Sequence, residues 1–337
     1  MQTHPSFNFD GSPIIATLGI SDRCPKMCGD CALSLTPNGT QMSFSDIRRI
    51  VSFDDLVFRE TIGISYGEPF YYEDAGKTLS DIATLFLGNG IKTAVITTSG
   101  FRKGDAIPEK ALEGLMAYRE NVQVGLSFNL FQGRRGPYWD QINYTVERLS
   151  GAGIRITEVL STYSVENKAE SEGELGKLVN LLSRAYGTEA VINPSPDNPI
   201  LHGEIKASFS QIERVGRGER ATRFEPLRES WVELMHCDLF DIHTRREWLT
   251  IRSNGDLHPC LSPRGAKVPP VANVFEHTWE GIKEHYRMYQ EQFQRRQAQR
   301  PKGTSRCAWH RQMAFRPPKP RQEHLRQPSR APALARA

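Results

Sequence analysis

The stretch PIIATLGISDRCPKMCGDC, residues 13–31, joins an apolar run to a loop that carries three cysteines. The run Pro13–Ile20 has the pattern of a buried strand. Cys24, Cys28 and Cys31 follow it with C-x3-C-x2-C spacing. Three thiolates on one loop can hold three irons of a cubane cluster and leave the fourth iron open to a small chelating molecule. Zinc is the alternative, because short cysteine spacings also bind zinc.

Strand and helix patterns alternate outward from this stretch to about residue 195. The predicted strands are Pro13–Ile20, Thr61–Ser65, Lys92–Thr98, Val122–Leu130, Ile154–Ser161 and Glu189–Ile192. The predicted helices are Ser43–Asp55, with Ser43 or Ser45 as N-cap, Glu73–Leu87, Pro108–Glu120, Tyr138–Leu149 and Glu170–Tyr186. Six β/α units in series predict an α/β fold with a parallel sheet. Because no seventh and eighth unit follow, we expect a partial (β/α)6 barrel, with ligands at the carboxyl ends of its strands.

The pattern changes after about residue 195. Asn254-Gly255 favours a tight turn, so the flanking segments Trp248–Arg252 and Asp256–Cys260 predict a hairpin. Thr278–Arg295 predicts one long helix. We therefore predict an N-terminal segment 1–11, a partial barrel 12–195, a small C-terminal α+β domain 196–310 and a tail 311–337.

Composition is that of an ordinary globular protein, with 38% hydrophobic and 24% charged residues. The chain has no apolar run of membrane-spanning length and no basic-then-apolar leader at Met1. We therefore expect a cytoplasmic protein with no membrane partner. In that compartment its six cysteines stay reduced, which favours metal or redox chemistry over disulfides.

The tail accounts for the net charge of +4. Residues 311–337 hold seven Lys or Arg against one Glu, together with five prolines and few apolar residues. Such a segment cannot bury enough surface to fold, so we predict that it is disordered. We interpret it as a solvated appendage and expect no nucleic-acid partner.

Short polar side chains stand at three successive strand ends. The second predicted strand ends in Ser65-Tyr66-Gly67-Glu68-Pro69 and the third in Thr97-Thr98-Ser99-Gly100. The fourth carries Ser127 and Asn129 on one face, because side chains alternate along a strand. This set suits a ligand rich in hydroxyl, amino and carboxylate groups.

The cysteine triplet, the Gly67-Glu68-Pro69 turn and the predicted partial barrel together resemble the radical S-adenosylmethionine (SAM) superfamily, over about residues 12–195. The resemblance implies a [4Fe–4S] cluster on the three cysteines, whose open iron binds the amino and carboxylate groups of SAM. It implies cofactor contacts by Tyr66, Gly67 and Glu68 in the turn that meets the amino group, and by Thr98, Ser99, Ser127 and Asn129 near the carboxylate or ribose. One departure is Asp30, which stands where the family usually has an aromatic residue before the third cysteine.

The remaining cysteines, Cys237, Cys260 and Cys307, are followed by His310 at C-x2-H spacing from the last. They resemble the twitch form of the SPASM extension of radical SAM enzymes, which holds an auxiliary [4Fe–4S] cluster. The resemblance implies a second cluster with His310 in the place of the usual fourth cysteine. Ordinary buried cysteines with a surface histidine are the alternative.

An auxiliary cluster gives a physical reason for oxidation, because it can accept the second electron after a hydrogen atom has been removed from the substrate. The resemblance therefore implies dehydrogenation of a small polar molecule such as a sugar, aminocyclitol or aminoglycoside, with a flavodoxin- or ferredoxin-type electron donor. Peptide-modifying members often carry a leader-recognition domain before the barrel, and a cysteine loop that begins at residue 24 leaves no room for one.

Three alternatives remain open, and the first is a peptide-modifying radical SAM maturase. An epimerase would need a thiol as hydrogen donor, and Cys260 on its hairpin is the first candidate. A protein of another class, a zinc-stabilised module that binds nucleic acid through its basic tail, would be colourless and would not bind SAM.

Overall fold

The computed structural model describes residues 14–28, 31, 33–52, 57–129, 138–163, 167–192, 205–211, 248–258 and 270–299. The predicted segments 1–11 and 311–337 lie outside these ranges. So do the four predicted ligands of a second cluster, Cys237, Cys260, Cys307 and His310.

Strands and helices alternate through the first 192 residues. The strands are β1 Ile14–Gly19, β2 Val57–Ser65, β3 Glu73–Asp74, β4 Lys77–Thr78, β5 Thr93–Thr98, β6 Val122–Asn129, β7 Arg155–Tyr163, β8 Ala190–Ile192, β9 Ile205–Gln211, β10 Trp248–Ile251, β11 Asp256–His258 and β12 Ala272–Asn273. The helices are α1 Phe44–Val51, α2 Leu79–Gly88, α3 Ala106–Leu115, α4 Tyr138–Gly151, α5 Lys168–Tyr186 and α6 Trp279–Ala298, with short 3-10 turns at Pro69–Tyr71 and Met116–Tyr118.

One large sheet organises the described residues. Its strand order is β12-β11-β10-β1-β2-β5-β6-β7-β9-β8. From β10 to β8 all neighbours pair in parallel, whereas β11 and β12 are antiparallel additions at one end. The predicted α/β fold with a mostly parallel sheet is therefore confirmed. Closure into a partial (β/α)6 barrel and a separate C-terminal domain remain predictions.

The sixth predicted strand, Glu189–Ile192, is present as β8 Ala190–Ile192. β8 lies at the edge, and the unpredicted β9 stands between β7 and β8. β9 has seven residues, IKASFSQ, and lies after residue 195, where no strand was predicted before Trp248. Its place depends on hydrogen bonding to two neighbours. Because β9 and β10 pair with β7 and β1, the main sheet continues across the predicted boundary at residue 195.

The predicted helix Glu73–Leu87 is wrong at its start. β3 and β4 instead form a small hairpin, because Ala75 and Gly76 both adopt positive φ, at 49° and 79°. Helix α2 begins only at Leu79. There the Asp81 carboxylate accepts a hydrogen bond from the Thr78 amide at 2.9 Å. A two-residue turn with left-handed backbone therefore overrides helical spacing in this segment.

The two faces of the sheet differ in character. Along β5 the residues Ala94, Ile96 and Thr98 are buried under the helical layer, where α2 packs on β5 and α4 and α5 pack on β7. Alternation places Thr97 on the opposite side. Strand register puts Gly125 and Glu158 beside Thr97, and Ser127 follows Gly125 two residues later. We call this side, which carries Thr97, Gly125, Ser127 and Glu158, the polar face.

None of the helices in the described ranges has both the length and the apolar character needed to cross a bilayer.

Helix α1 begins at the predicted N-cap. The Ser43 Oγ accepts a hydrogen bond from the Asp46 amide at 3.1 Å, and Ser45 is exposed in the first turn. We expect Ser43→Ala to lower the free energy of unfolding by about 1 kcal/mol, because an amide at the helix start loses its acceptor. Ser45→Ala should change it by less than about 0.5 kcal/mol. Urea denaturation of both variants checks this, and equal losses would contradict the assignment.

Candidate functional site

The turn after β2 packs against the segment that joins β1 to α1, residues 20–43, which we call the cysteine loop. Gly67 in this turn has a φ of +63°. A Cβ atom on it would lie 2.5 Å from the carbonyl oxygens of Ser21 and Arg23, so that only glycine fits. The next amide, that of Glu68, donates to the Arg23 carbonyl at 2.9 Å. The turn and the cysteine loop are thus joined through their main chains.

Tyr66 is held beside them in a strained backbone conformation. Its φ is 65°, a region that is unfavourable for a residue with a side chain. Its ring covers Gly19, where an added Cβ would lie 2.5 Å from Tyr66 Cδ2. The Arg252 Cζ lies 5.3 Å from the centroid of the same ring, a cation–π distance. These contacts connect the carboxyl ends of β1, β2 and β10.

The Glu68 carboxylate lies at the centre of the site and is only 1% exposed. Its Oε1 accepts a hydrogen bond from Thr98 Oγ1 at 2.5 Å. Its Oε2 accepts from the Ser99 amide at 2.8 Å and from Ser99 Oγ at 2.6 Å. Burial raises the pKa of Glu68, while the positive charge of Lys26 and the hydrogen bonds from Ser99 and Thr98 oppose that rise. The carboxylate therefore binds the turn after β2 to the end of β5.

Helix α4 supports the segment that follows β5. Gln141 Nε2 donates to the Ser99 carbonyl at 3.0 Å, and the Phe101 amide donates to Thr145 Oγ1 at 3.0 Å. Gly100 between them has a φ of +85°, and a Cβ there would lie 2.8 Å from Thr145 Oγ1. The position of Ser99 is thus fixed by hydrogen bonds from helix α4 as well as to Glu68.

The cysteine loop carries three cysteine thiols, none of which is part of a disulfide within the described residues. Cys24 is buried, whereas Cys28 and Cys31 are half-buried. The loop is folded on itself by hydrogen bonds from the Cys24 amide to the Thr36 carbonyl at 2.9 Å and from the Cys31 amide to the Cys28 carbonyl at 3.3 Å. The Leu35 amide donates to Cys31 Sγ at 3.4 Å.

Hydrogen bonds also join this loop to the hairpin of β10 and β11. Ser253 Oγ donates to the Asp22 carboxylate at 2.7 Å, and Thr40 Oγ1 donates to the same oxygen at 3.2 Å. The loop is therefore anchored on both sides of the cysteines, at Asp22 and at Thr40.

Burial raises the pKa of the Cys24 thiol to about 11, and the nearby charge of Glu68 adds to this rise. A metal that binds Cys24 must therefore displace its proton. Within the ranges that the structure describes, no group of three or more His, Cys, Asp or Glu side chains has the arrangement of a single-ion metal site. A cubane cluster makes a different demand, since each thiolate binds its own iron.

Lys26 lies between Cys24 and Cys28 in the sequence. Its Nζ is buried and has no hydrogen-bond partner among the described residues. Its electrostatic neighbours include Glu68, Cys24 and Cys28. Burial lowers the pKa of Lys26, and these neighbours oppose that change. A buried ammonium without a hydrogen-bond partner among the described residues, on the loop that carries the three cysteines, fits an anionic group bound there.

The residues present thus fit a metal–sulfur group in two respects. The donors are three thiols on one anchored loop, which is the chemistry that soft metal centres require. A buried cation with open donors stands beside them. Three thiols have the donor chemistry of both zinc and iron–sulfur sites, but within the described residues they do not form a single-ion arrangement, which favours the cluster.

The other predicted cofactor contacts meet at the same edge of the sheet but do not all face the same side. Thr98 is buried on the helical side with its hydroxyl committed to Glu68. Ser127 lies half-buried on the polar face. Asn129 ends β6, in register with Thr162 of β7. Cofactor binding by these residues stays a prediction.

Several residues of the site were not predicted from the sequence. Lys26 sits inside the cysteine motif, which is the one sequence signal that could have pointed to it. Arg252 Nε and Nη2 are buried and have no hydrogen-bond partner among the described residues. Glu158 and Lys206 form an ion pair across β7 and β9, with Nζ and Oε1 3.9 Å apart. Arg252, Glu158 and Lys206 do not belong to a recognisable sequence motif.

No protein-family model matches the chain, and no curated protein matches it. Among solved structures, it is similar to SuiB of Streptococcus suis bound to S-adenosylmethionine, with 18% identity, 80% of this chain and 65% of that chain covered, and a TM-score of 0.49. It is also similar to anSMEcpe with bound AdoMet and a Cp18Cys peptide, with 12% identity, coverage of 81% and 82%, and a TM-score of 0.45.

A third similar structure is the FeFe-hydrogenase maturase HydG of Carboxydothermus hydrogenoformans, with 15% identity, coverage of 67% and 66%, and a TM-score of 0.29. The chain spans 65% of the length of SuiB. Because all three TM-scores are below 0.5, these similarities alone establish neither a fold nor an activity for this chain.

Neighbouring threonines on β5 provide a matched test of the Glu68 network. Thr98→Val removes the hydroxyl that donates to Glu68 and that accepts from the Gly100 amide at 3.0 Å. We expect it to lower the free energy of unfolding by about 1–3 kcal/mol, because buried polar groups lose their partners. Thr97→Val, on the polar face, should cost less than about 0.5 kcal/mol. Equal values from urea denaturation would show that the network does not stabilise the fold.

Proposed function

We propose that this chain is a radical SAM enzyme that abstracts hydrogen from a small polar substrate. The observation that carries the proposal is the meeting of the C-x3-C-x2-C loop with the Gly67-Glu68 turn. Ser21 and Arg23 of that loop leave room only for glycine at position 67, and the Arg23 carbonyl accepts from the Glu68 amide. The sequence motif and the turn thus form one structural unit.

Cys24, Cys28 and Cys31 would hold the cluster. Such a cluster would supply the one electron that cleaves bound SAM into methionine and the 5′-deoxyadenosyl radical, which would take a hydrogen atom from the substrate. Gly67, Ser99, Ser127 and Asn129 would line the SAM site at the strand ends.

Two roles are open to Glu68. Three of the roughly four lone-pair positions of its carboxylate are filled by Thr98 and Ser99, so its first role is to position these residues. One position remains for an amino group of SAM. Burial of Glu68 and Cys24 keeps water from this part of the site, which favours radical chemistry.

The polar face of the sheet is the support for a small polar substrate. Thr97, Ser127 and Glu158 are half-buried there, and the buried Gly125 between Thr97 and Glu158 adds no side chain. An added Cβ at Gly125 would lie 3.6 Å from Thr97 Oγ1 and 4.0 Å from Glu158 Oε2. Hydroxyl and carboxylate groups on one face suit a ligand with hydroxyl and amino groups, such as an amino sugar or aminocyclitol.

Dehydrogenation is the proposed outcome of the radical step. It depends on a second cluster, for which Cys237, Cys260, Cys307 and His310 are the candidate ligands, all of them outside the described residues. A flavodoxin- or ferredoxin-type protein is the proposed electron donor. Epimerisation with Cys260 as hydrogen donor gives the same first step, so the variants below must separate the two outcomes.

The cysteines allow a direct test. Anaerobically purified full-length chain should contain about four irons and four sulfides for each cluster, and reduction with dithionite should yield 5′-deoxyadenosine from SAM. Cys24→Ser, Cys28→Ser and Cys31→Ser should each lose SAM cleavage and one cluster's share of iron, because each removes a ligand. Zinc without iron in the wild-type protein, or unchanged SAM cleavage in all three variants, would contradict the proposal.

The matched controls are Cys237→Ser, Cys260→Ser and Cys307→Ser. Each should lose the iron of the second cluster and keep SAM cleavage. A Cys260→Ser protein with full iron that forms a substrate radical without product would favour epimerisation over dehydrogenation.

Glu158 allows a test of the substrate class. Burial raises the pKa of this carboxyl group and Lys206 opposes the rise. We expect substrates that carry an amine to react better than matched ones that carry a hydroxyl in its place, because the carboxylate pairs with an ammonium. Glu158→Gln should raise the KM of the amine substrate about tenfold or more, with a smaller change in kcat.

The assay is deuterium transfer from labelled glucosamine and glucose, and from similar pairs, into 5′-deoxyadenosine. Exposed Glu113→Gln is the control. Equal use of both members of every pair by the wild-type protein would contradict a role for Glu158.

A further inference from the structure

The position of the Lys26 ammonium is energetically unfavourable in the described structure. Its ammonium is buried and donates no hydrogen bond to the described residues, although a buried charge without partners costs several kcal/mol. Lysine could avoid that cost by extending to solvent, since its stem is long and flexible. Its inward position therefore points to a negative partner at the cysteine loop.

The charges around Lys26 show where that partner lies. Glu68, Cys24 and Cys28 are its favourable electrostatic neighbours, and Arg102 is an unfavourable one. Glu68 already accepts three hydrogen bonds from Thr98 and Ser99 and makes none with Lys26. Cysteines that bind a metal do so as thiolates, which carry negative charge. The three donors of the ammonium are thus open beside groups that become negative when a metal–sulfur group binds.

We propose that Lys26 is the counter-cation of the cluster bound by Cys24, Cys28 and Cys31, and that it raises the reduction potential of that cluster. The inference rests on the proposed function. A cluster with its thiolates is anionic, and reduction adds one electron while no bond forms or breaks. A fixed cation in a poorly solvated site stabilises the more negative, reduced form more strongly than the oxidised form.

Two substitutions separate the charge of Lys26 from its size. Lys26→Met keeps a long unbranched side chain and removes the charge, whereas Lys26→Arg keeps the charge. Lys92→Met is the matched control. Lys92 lies at the amino end of β5, away from the cysteine loop, and its side chain is 68% exposed and pairs with Glu60. The measurement is an EPR-monitored redox titration of the anaerobically reconstituted full-length proteins, with dithionite as reductant and with iron and sulfide analysis.

The expected result is a midpoint potential of Lys26→Met at least about 59 mV below that of the wild type, which is a tenfold lower equilibrium constant for one-electron reduction. Iron content should be unchanged, and Lys26→Arg and Lys92→Met should keep a potential close to that of the wild type. A Lys26→Met protein with full iron and an unshifted potential would overturn the proposal.

If Lys26→Met loses iron, the iron content of Lys26→Arg shows whether the site requires the charge of Lys26 or its shape. Full iron in the arginine variant supports the role of charge, and loss of iron in both variants overturns it, because shape rather than charge is then required. The proposed function can be judged separately. A wild-type protein with no cluster refutes that function and this inference together, whereas SAM cleavage by the wild type with an unshifted Lys26→Met refutes this inference alone.

Discussion

The site depends on the hydrogen bonding of one buried carboxylate. Glu68 is almost fully enclosed, and an ionised group in that position requires donors on most of its lone pairs. Thr98 and Ser99 provide them from the end of β5, and the Glu68 amide itself binds the Arg23 carbonyl. One side chain therefore sets the distance between two neighbouring strand ends and the loop that carries the cysteines.

Close backbone packing makes this arrangement possible. Gly19 and Gly67 allow the ring of Tyr66 and the carbonyl groups of the cysteine loop to approach where any side chain would clash. The left-handed conformation of Tyr66 is unfavourable by itself, and its contacts with Gly19 and Arg252 retain it. Strained residues of this kind often lie at functional sites, and here the strain lies next to the candidate ligands of a metal–sulfur group.

The parallel sheet divides its two faces between stability and function. The helical side buries Ala94, Ile96 and their neighbours and supplies the core. The polar face keeps a threonine, a serine and a carboxylate half-buried around a buried glycine near the carboxyl ends of the strands. A substrate on that face would lie on the side of the sheet opposite the core, so its binding groups can change without a cost to the hydrophobic packing.

The sequence by itself determined the features that lie within one element: the alternating strands and helices, the N-cap Ser43 and the spacing of the three cysteines. These follow from local periodicity and capping, which need no distant partner. Only the tertiary structure decided the position of β9, the late start of α2 and the burial of Lys26 beside Glu68. Strand pairing and desolvation depend on residues far apart in the chain, and helical spacing around Ala75 and Gly76 concealed the local turn that delays α2.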